Sequence, residues 1–344
     1  MKAAVLYGPG DLRVEERVRP KPGPGEALVQ VTASGVCNSD LQRVRAAEVA
    51  RLPLVIGHEF AGKVVARGEG STAKIGARVA VYPLLPCGAC PSCRRRLFEC
   101  CSDYSYYGSR RDGGLAEFAA VRTANLVPLP DGLSDAEAAM SEPAAVALHA
   151  LNRAALRTGE CLLILGAGPM GLLAAQVARA RGAREVILLD VADEPLEFAR
   201  SLGFEKTARS DAADVGRRVK ELAGAGGPEL LLEAAGAAAA YRLALELAAP
   251  AARVVFMGNV GGDLTLPQKL VSSVLRKQLQ IFGSWNSSLV NPENEWAAVH
   301  AMIARRELLP EKLISHRMRL EEVPGAIRWM QERREPFRKV MVVF

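Results

Sequence analysis

In Leu162-Leu163-Ile164-Leu165-Gly166-Ala167-Gly168-Pro169-Met170-Gly171 a short apolar run passes without a break into Gly-x-Gly-x-x-Gly and then into a helical pattern. A strand that turns tightly on glycines into a helix leaves free N–H groups and the positive end of the helix dipole at the turn. That is where a pyrophosphate binds. Gly166, Gly168, Pro169, Met170 and Gly171 are therefore the candidate contacts. Asp190, 19 residues beyond Gly171, ends the next apolar run. A carboxylate there accepts hydrogen bonds from both ribose hydroxyls and repels the additional phosphate of NADP, so the implied dinucleotide is NAD.

Downstream, strand-sized runs at Cys161-Leu165, Val186-Asp190, Leu230-Glu233, Val254-Met257 and Leu279-Phe282 alternate with helical segments near 169–181, 194–202, 213–224 and 237–248. Such alternation predicts a doubly wound parallel sheet. Upstream, residues 1 to about 140 carry short β-type runs (Ala27-Val31, Gly62-Ala66, Ala77-Tyr82, Ala116-Val121) with Pro20, Pro22 and Pro24 excluding helix nearby. Beyond about 285 the pattern returns to helix (293–307, 321–334) and ends on a strand, Lys339-Phe344. The reading is a two-domain α/β protein: a mostly β part over 1–146, a dinucleotide-binding part over 147–284, and a return over 285–344.

With 344 residues, 49% hydrophobic and 24% charged, the chain has the composition of an ordinary globule, which excludes disorder, collagen and fibre. Lys and Arg number 44 against 38 Asp and Glu; this +6 is dispersed and argues against a nucleic-acid partner. No apolar run reaches the roughly 18 residues that span a bilayer, so no membrane is expected. The start, Met1 to Pro9, lacks the apolar core of a secretory signal, and the cytoplasm is the expected location.

Four of the seven cysteines fall as Cys87-x2-Cys90-x2-Cys93-x7-Cys101. Four thiolates on one loop close a tetrahedral zinc site with no open position, so its role is structural. Cys100 is the alternative last ligand. A second set is conceivable from Cys37 in Gly35-Val36-Cys37-Asn38-Ser39-Asp40, His58 in Gly57-His58-Glu59, and Glu142 in Ser141-Glu142-Pro143. Three such ligands with an exchangeable fourth position make a catalytic zinc, although a lone histidine is more often structural.

Taken together, these motifs resemble the zinc-dependent medium-chain dehydrogenase/reductase family over essentially the whole chain. Pro83-Leu84-Leu85-Pro86-Cys87, Gly108-Ser109-Arg110-Arg111-Asp112-Gly113-Gly114 and Gly283-Ser284-Trp285 are similar to the polyol-type members, above all those acting on galactitol 1-phosphate. Sorbitol and threonine dehydrogenases are the neighbouring readings. The resemblance implies a GroES-like, mostly β catalytic domain followed by a Rossmann NAD domain. It also implies one catalytic and one structural zinc, a small-molecule polyol or polyol phosphate as substrate, and a homodimer or homotetramer. Cys37 and His58 would hold the catalytic ion, with Glu142 ranked ahead of Glu59 as the direct carboxylate ligand and the other holding the zinc-bound water. Cys87, Cys90, Cys93 and Cys101 would hold the structural ion, and Ser39 would be the first carrier of the released proton.

Some positions depart from the family. Leu41 and Gln42 stand where relatives carry a histidine to pass the proton outward, Asn38 replaces a glycine, and Ala77 replaces an aspartate. Arg110 and Arg111 are candidate phosphate ligands, Trp285 is a candidate substrate or hinge contact, and His149 and His316 read as structural. A non-enzymatic zinc- and nucleotide-binding module is the competing reading, and it would bind NAD without turning over any alcohol.

Overall fold

The computed structural model describes every residue except Ala225 and Asn291. The chain divides into two units, Met1–Pro143 with Ser288–Phe344, and Ala144–Ser287.

The second unit is a parallel sheet in the order Thr207–Arg209, Glu185–Asp190, Cys161–Leu165, Leu230–Glu233, Arg253–Phe256, Gln280–Gly283. The chain starts at Cys161–Leu165 near the middle, runs outward to one edge, then returns and builds the other side. The order therefore reverses between Cys161–Leu165 and Leu230–Glu233, the point at which doubly wound sheets bind ligands. Cys161–Leu165 and Leu230–Glu233 are buried throughout, as strands covered on both faces must be. Leu163, Leu165, Ile187, Leu189, Leu231 and Val254 pack there against Val219, Ala223, Ala244 and Leu245 from the helices. The helix Pro169–Ala180 lies so close to the preceding turn that a Cβ at Gly171 would sit 1.9 Å from the Gly166 carbonyl oxygen. Only glycine permits that approach.

In the first unit the strand Glu26–Val36 is central. It pairs antiparallel with Glu59–Arg67, with Phe118–Arg122 over its first half, and with the C-terminal strand Lys339–Val343 over its second half. Its far end thus has Glu59 opposite Gly35 on one side and Val340 opposite Val36 on the other. The sheet continues through Arg78–Val81 to Leu126–Pro128, and through Ile314–Met318 at the opposite edge. A smaller sheet joins Lys2–Gly8 to Asp11–Glu16 and Leu54–Val55.

The two-part α/β architecture agrees with the sequence reading, and the N-terminal part is mostly β with short helices. Helices Asn38–Ala46 and Asp135–Ala139 interrupt it, and Ser141–Arg153 follows. The helix Gln268–Lys277 and the strand Thr207–Arg209 are additions that the periodicity did not indicate.

Candidate active site

Cys37 follows directly on the strand Glu26–Val36 and is the N-cap of the helix Asn38–Ala46. Asp40, fully buried on the first turn, accepts the Cys37 N–H at 3.0 Å and so fixes the direction in which the thiol leaves the strand. His58 precedes the strand Glu59–Arg67, and both His58 and Glu59 are buried. One ligand atom from each of Cys37, His58 and Glu59 lies within 4.8 Å of the others.

Asp40 Oδ1 and Arg43 Nη1 both stand 3.4 Å from His58 Nδ1. The carboxylate only accepts, so it favours a proton on Nδ1 and leaves Nε2 as the nitrogen that can bind a metal. Burial works against a charge on His58, but the Asp40 carboxylate beside it and the nearby Cys37 outweigh this and raise the imidazole well above its ordinary value. Asp40 shows the converse: burial opposes its ionisation, and His58 and Arg43 nevertheless hold it far below the usual carboxylate range. The Arg43 guanidinium also donates from Nη1 to Ser39 Oγ and to Asp40 Oδ1, each at 2.9 Å.

Glu59 is gripped from behind: Lys339 Nζ, arriving on the C-terminal strand, donates to both of its carboxylate oxygens at 2.7 Å. Glu142 is buried and accepts a hydrogen bond from Tyr106 Oη at 3.2 Å. Burial pushes its carboxyl up to about 7; nearby His58 opposes this and the Glu59 charge adds to it. The sequence reading ranked Glu142 first as the carboxylate ligand. Among the described residues, the ligand set within mutual reach is completed by Glu59 instead, and Glu142 borders it through Tyr106. Lys339, Arg43 and Tyr106 were not singled out from sequence.

The donor chemistry fits a zinc ion. A half-buried thiolate with a buried imidazole and a buried carboxylate makes the mixed soft and borderline set that zinc takes with one position left open. In the other cluster, Cys87, Cys90, Cys93 and Cys101 also lie within 4.8 Å of one another, with Sγ separations of 3.9 Å for Cys87–Cys93 and for Cys90–Cys101. Tetrahedral zinc with bonds of about 2.3 Å spaces its sulfurs by roughly 3.8 Å. Backbone N–H groups of Cys93 and Ser102 hold Cys90 down to about 5, whereas burial pushes Cys93 up to about 12. Cys100 is exposed and stands outside the set.

Behind Glu142, Ser141 Oγ and His300 Nε2 are 2.8 Å apart, and burial pushes His300 down to about 4. Below the ordinary value near 6.5 the unfolded chain binds a proton that the native imidazole refuses until about 4. Stability therefore falls as pH drops through that window, by about 3 kcal/mol when complete. Urea midpoints at about pH 7 and about pH 4.5 should show this loss in the wild type and a smaller one in His300→Gln. Equal losses in the two would contradict it.

In the second unit, Gly168 caps the helix Pro169–Ala180, with Pro169 at its first position. Asp190, at the end of Glu185–Asp190, reaches back to that turn: its Oδ2 accepts from Ala167 N–H at 2.8 Å and its Oδ1 from Ala192 N–H at 3.0 Å. Each oxygen keeps a second lone pair for a ribose hydroxyl. Met170 is half-buried on the first turn.

The two arginines do not form a free pair. Arg111 donates to Glu26 at 2.7 Å, and Arg110 stacks over the Tyr104 ring at 4.2 Å while donating to its carbonyl. Asp112 is paired with Arg51. Trp285 stands 54% exposed just beyond the edge strand Gln280–Gly283.

Residues 23–131 match the alcohol dehydrogenase GroES-like domain, and residues 169–305 match the zinc-binding dehydrogenase family. Galactitol 1-phosphate 5-dehydrogenase of Escherichia coli (strain K12) is 37% identical over 331 residues, which cover 95% of this chain and 96% of that protein. The crystal structure of the Escherichia coli galactitol-1-phosphate dehydrogenase superposes with a TM-score of 0.93 at 36% identity and full coverage of both chains. An alcohol dehydrogenase of Escherichia coli CFT073 solved with NADH gives 0.91 at 32% identity over 100% of this chain and 99% of that one. A zinc-binding dehydrogenase of Sinorhizobium meliloti 1021 solved with NADP gives 0.90 at 29% identity with the same coverage.

Proposed function

The chain belongs to the zinc-binding, GroES-like alcohol dehydrogenases of the medium-chain type, and from that premise we propose that it oxidises a secondary hydroxyl of a polyol or polyol phosphate, of the galactitol 1-phosphate class, to the ketose with NAD+ as hydride acceptor. The observation that carries this reading is the set of half-buried Cys37 with buried His58 and Glu59, built in a chain that also carries the dinucleotide turn and Asp190.

Zinc, when bound, supplies a Lewis acid that lowers the pKa of a substrate hydroxyl so that the carbinol carbon can release hydride near neutral pH. Cys37 and His58 would hold the ion, with Glu59 as the third donor and Glu142 placed to accept a hydrogen bond at its border. Asp40 keeps His58 in one orientation. Ser39 Oγ accepts one hydrogen bond from Arg43 and retains one lone pair and its own hydrogen, which suits it to take a proton on one side and release one on the other. Arg43 is a donor only, so it orients Ser39 and cannot carry the proton away. Asp190 would accept the adenosine ribose hydroxyls, and the N-terminus of Pro169–Ala180 would take the pyrophosphate.

The phosphate preference rests on the likeness to the galactitol 1-phosphate enzyme and not on Arg110 and Arg111, since both are engaged elsewhere. A panel of hexitols, hexitol phosphates, simple secondary alcohols and L-threonine, read as NADH formation, tests the assignment. The expected result is a kcat/KM for galactitol 1-phosphate at least about tenfold above that for galactitol. Equal values would remove the phosphate from the proposal, and preferential turnover of L-threonine would overturn the polyol reading.

A further inference from the structure

The end of the strand pair that carries Asp190 also carries an arginine, and that arginine is locked. Asp190 and Arg209 are register partners on the parallel strands Glu185–Asp190 and Thr207–Arg209. A guanidinium beside the ribose-binding carboxylate is the group that would welcome a 2′-phosphate, because its planar fork matches phosphate oxygens. Here that fork is turned onto protein. Arg209 Nε donates to Asp211 Oδ1 at 2.9 Å and Nη2 donates to Asp211 Oδ2 at 2.7 Å, a bidentate pair. Its remaining terminal nitrogen, Nη1, donates to Asp193 Oδ2 at 3.1 Å. Asp193 opens the helix Asp193–Ser201, and Asp211 lies two residues beyond the strand.

Two carboxylates (Asp193, Asp211) thus hold the one guanidinium, next to the strand that ends on Asp190, and that cluster is negative even with Arg209 counted. Single exposed ion pairs contribute little, but bidentate geometry and a shared network are the circumstances in which they hold. A phosphate drawn to Arg209 would have to break that network and then sit beside the displaced carboxylates.

We infer that NADP is excluded in two layers: Asp190 repels the 2′-phosphate directly, and Asp193 with Asp211 sequesters Arg209, the residue that would otherwise bind it. This rests on the NAD reading above and assigns a specificity role to three residues besides Asp190. Removing Asp190 alone therefore does not make an NADP enzyme. The arginine must also be released.

The test is direct binding of NAD+ and NADP+ to the zinc-loaded protein by calorimetry, independent of turnover, in wild type, Asp190→Ser, Asp190→Ser/Asp193→Asn/Asp211→Asn, and that triple variant with Arg209→Gln added. Wild type should prefer NAD+. Asp190→Ser should lose NAD+ affinity with little gain for NADP+, and the triple variant should bind NADP+ at least about tenfold more tightly than Asp190→Ser. Adding Arg209→Gln should abolish the gain. Should the triple variant fail to fold, Asp190→Ser/Asp211→Asn, which frees two of the three contacts, carries the same comparison. Equal affinity of wild type for both nucleotides overturns the NAD reading and this inference with it. A wild-type preference for NAD+ with no gain in the triple variant, or a gain that survives Arg209→Gln, leaves the NAD reading standing and overturns the role of Arg209.

Discussion

Cys37→Ser is expected to retain its fold, its affinity for NAD+ and one zinc per chain, while losing kcat by at least about four orders of magnitude. The substitution isolates donor chemistry because position 37 is also a helix N-cap. Serine is a better N-cap than cysteine, and the Asp40 carboxylate that receives the residue 37 N–H is untouched. What disappears is a thiolate, replaced by a hydroxyl that stays protonated at neutral pH and is a poor partner for zinc. The Cys87, Cys90, Cys93 and Cys101 cluster is assembled on a separate loop and should keep its ion. Metal analysis should therefore fall from about two zinc ions per chain to about one. Without the Lewis acid, the hydroxyl must be deprotonated at close to its solution pKa, and Arg43, which bonds Ser39 but has no lone pair to offer, cannot compensate. Two ions per chain in the variant, or a kcat within tenfold of wild type, would remove Cys37 from the metal site.

The parallel sheet was the most legible part of the chain because strands covered on both faces read as unbroken apolar runs. The strands beginning at Cys161, Glu185, Leu230 and Arg253, and the exposed edge strand beginning at Gln280, each lie within one residue of the run expected. Thr207–Arg209 escaped notice because three residues at a sheet edge have no pattern of their own; their extension is imposed by Glu185–Asp190. Gln268–Lys277 escaped because Leu270 is its only fully buried residue among flanking polar ones. Glu26–Val36 outruns the expected Ala27-Val31 because small residues continue it, and Ser34 and Gly35 pair on both sides.

The site divides in the same way. The cysteine loop was legible because its ligands are local in sequence, and Cys37 and His58 were legible because each sits in a distinctive short motif. Arg43 was within reach of sequence reasoning, lying one helical turn from Ser39 and Asp40. The choice between Glu59 and Glu142 was not, because it depends on how closely separate elements approach. Nor was Lys339, which comes from a strand whose pairing partner Val36 lies about three hundred residues earlier.

Lys339→Met should strongly destabilise the metal-free protein. The side chains of Lys339 and Glu59 are 6% and 1% exposed, and the ammonium bonds both carboxylate oxygens. Burial opposes a charge on Lys339, but the Glu59 carboxylate outweighs it and raises the ammonium above its ordinary value. The ammonium's contribution is thus fully present at neutral pH and is lost as pH rises through that raised value. Methionine matches the stem and removes the charge, leaving Glu59 buried and unpaired, a change that costs about 3–5 kcal/mol. For a unit of this size that corresponds to a fall of roughly 10 °C in Tm. Adding Glu59→Gln should return most of the loss, because the cost lies in the uncompensated charge and not in the missing contact. With zinc present the single variant should behave differently: a carboxylate freed from its ammonium is a stronger donor, so the ion should leave more slowly to a chelator. If Lys339→Met loses stability equally with and without zinc, and Glu59→Gln restores nothing, then Glu59 is neither the source of the cost nor a ligand, and Glu142 becomes the carboxylate of the site.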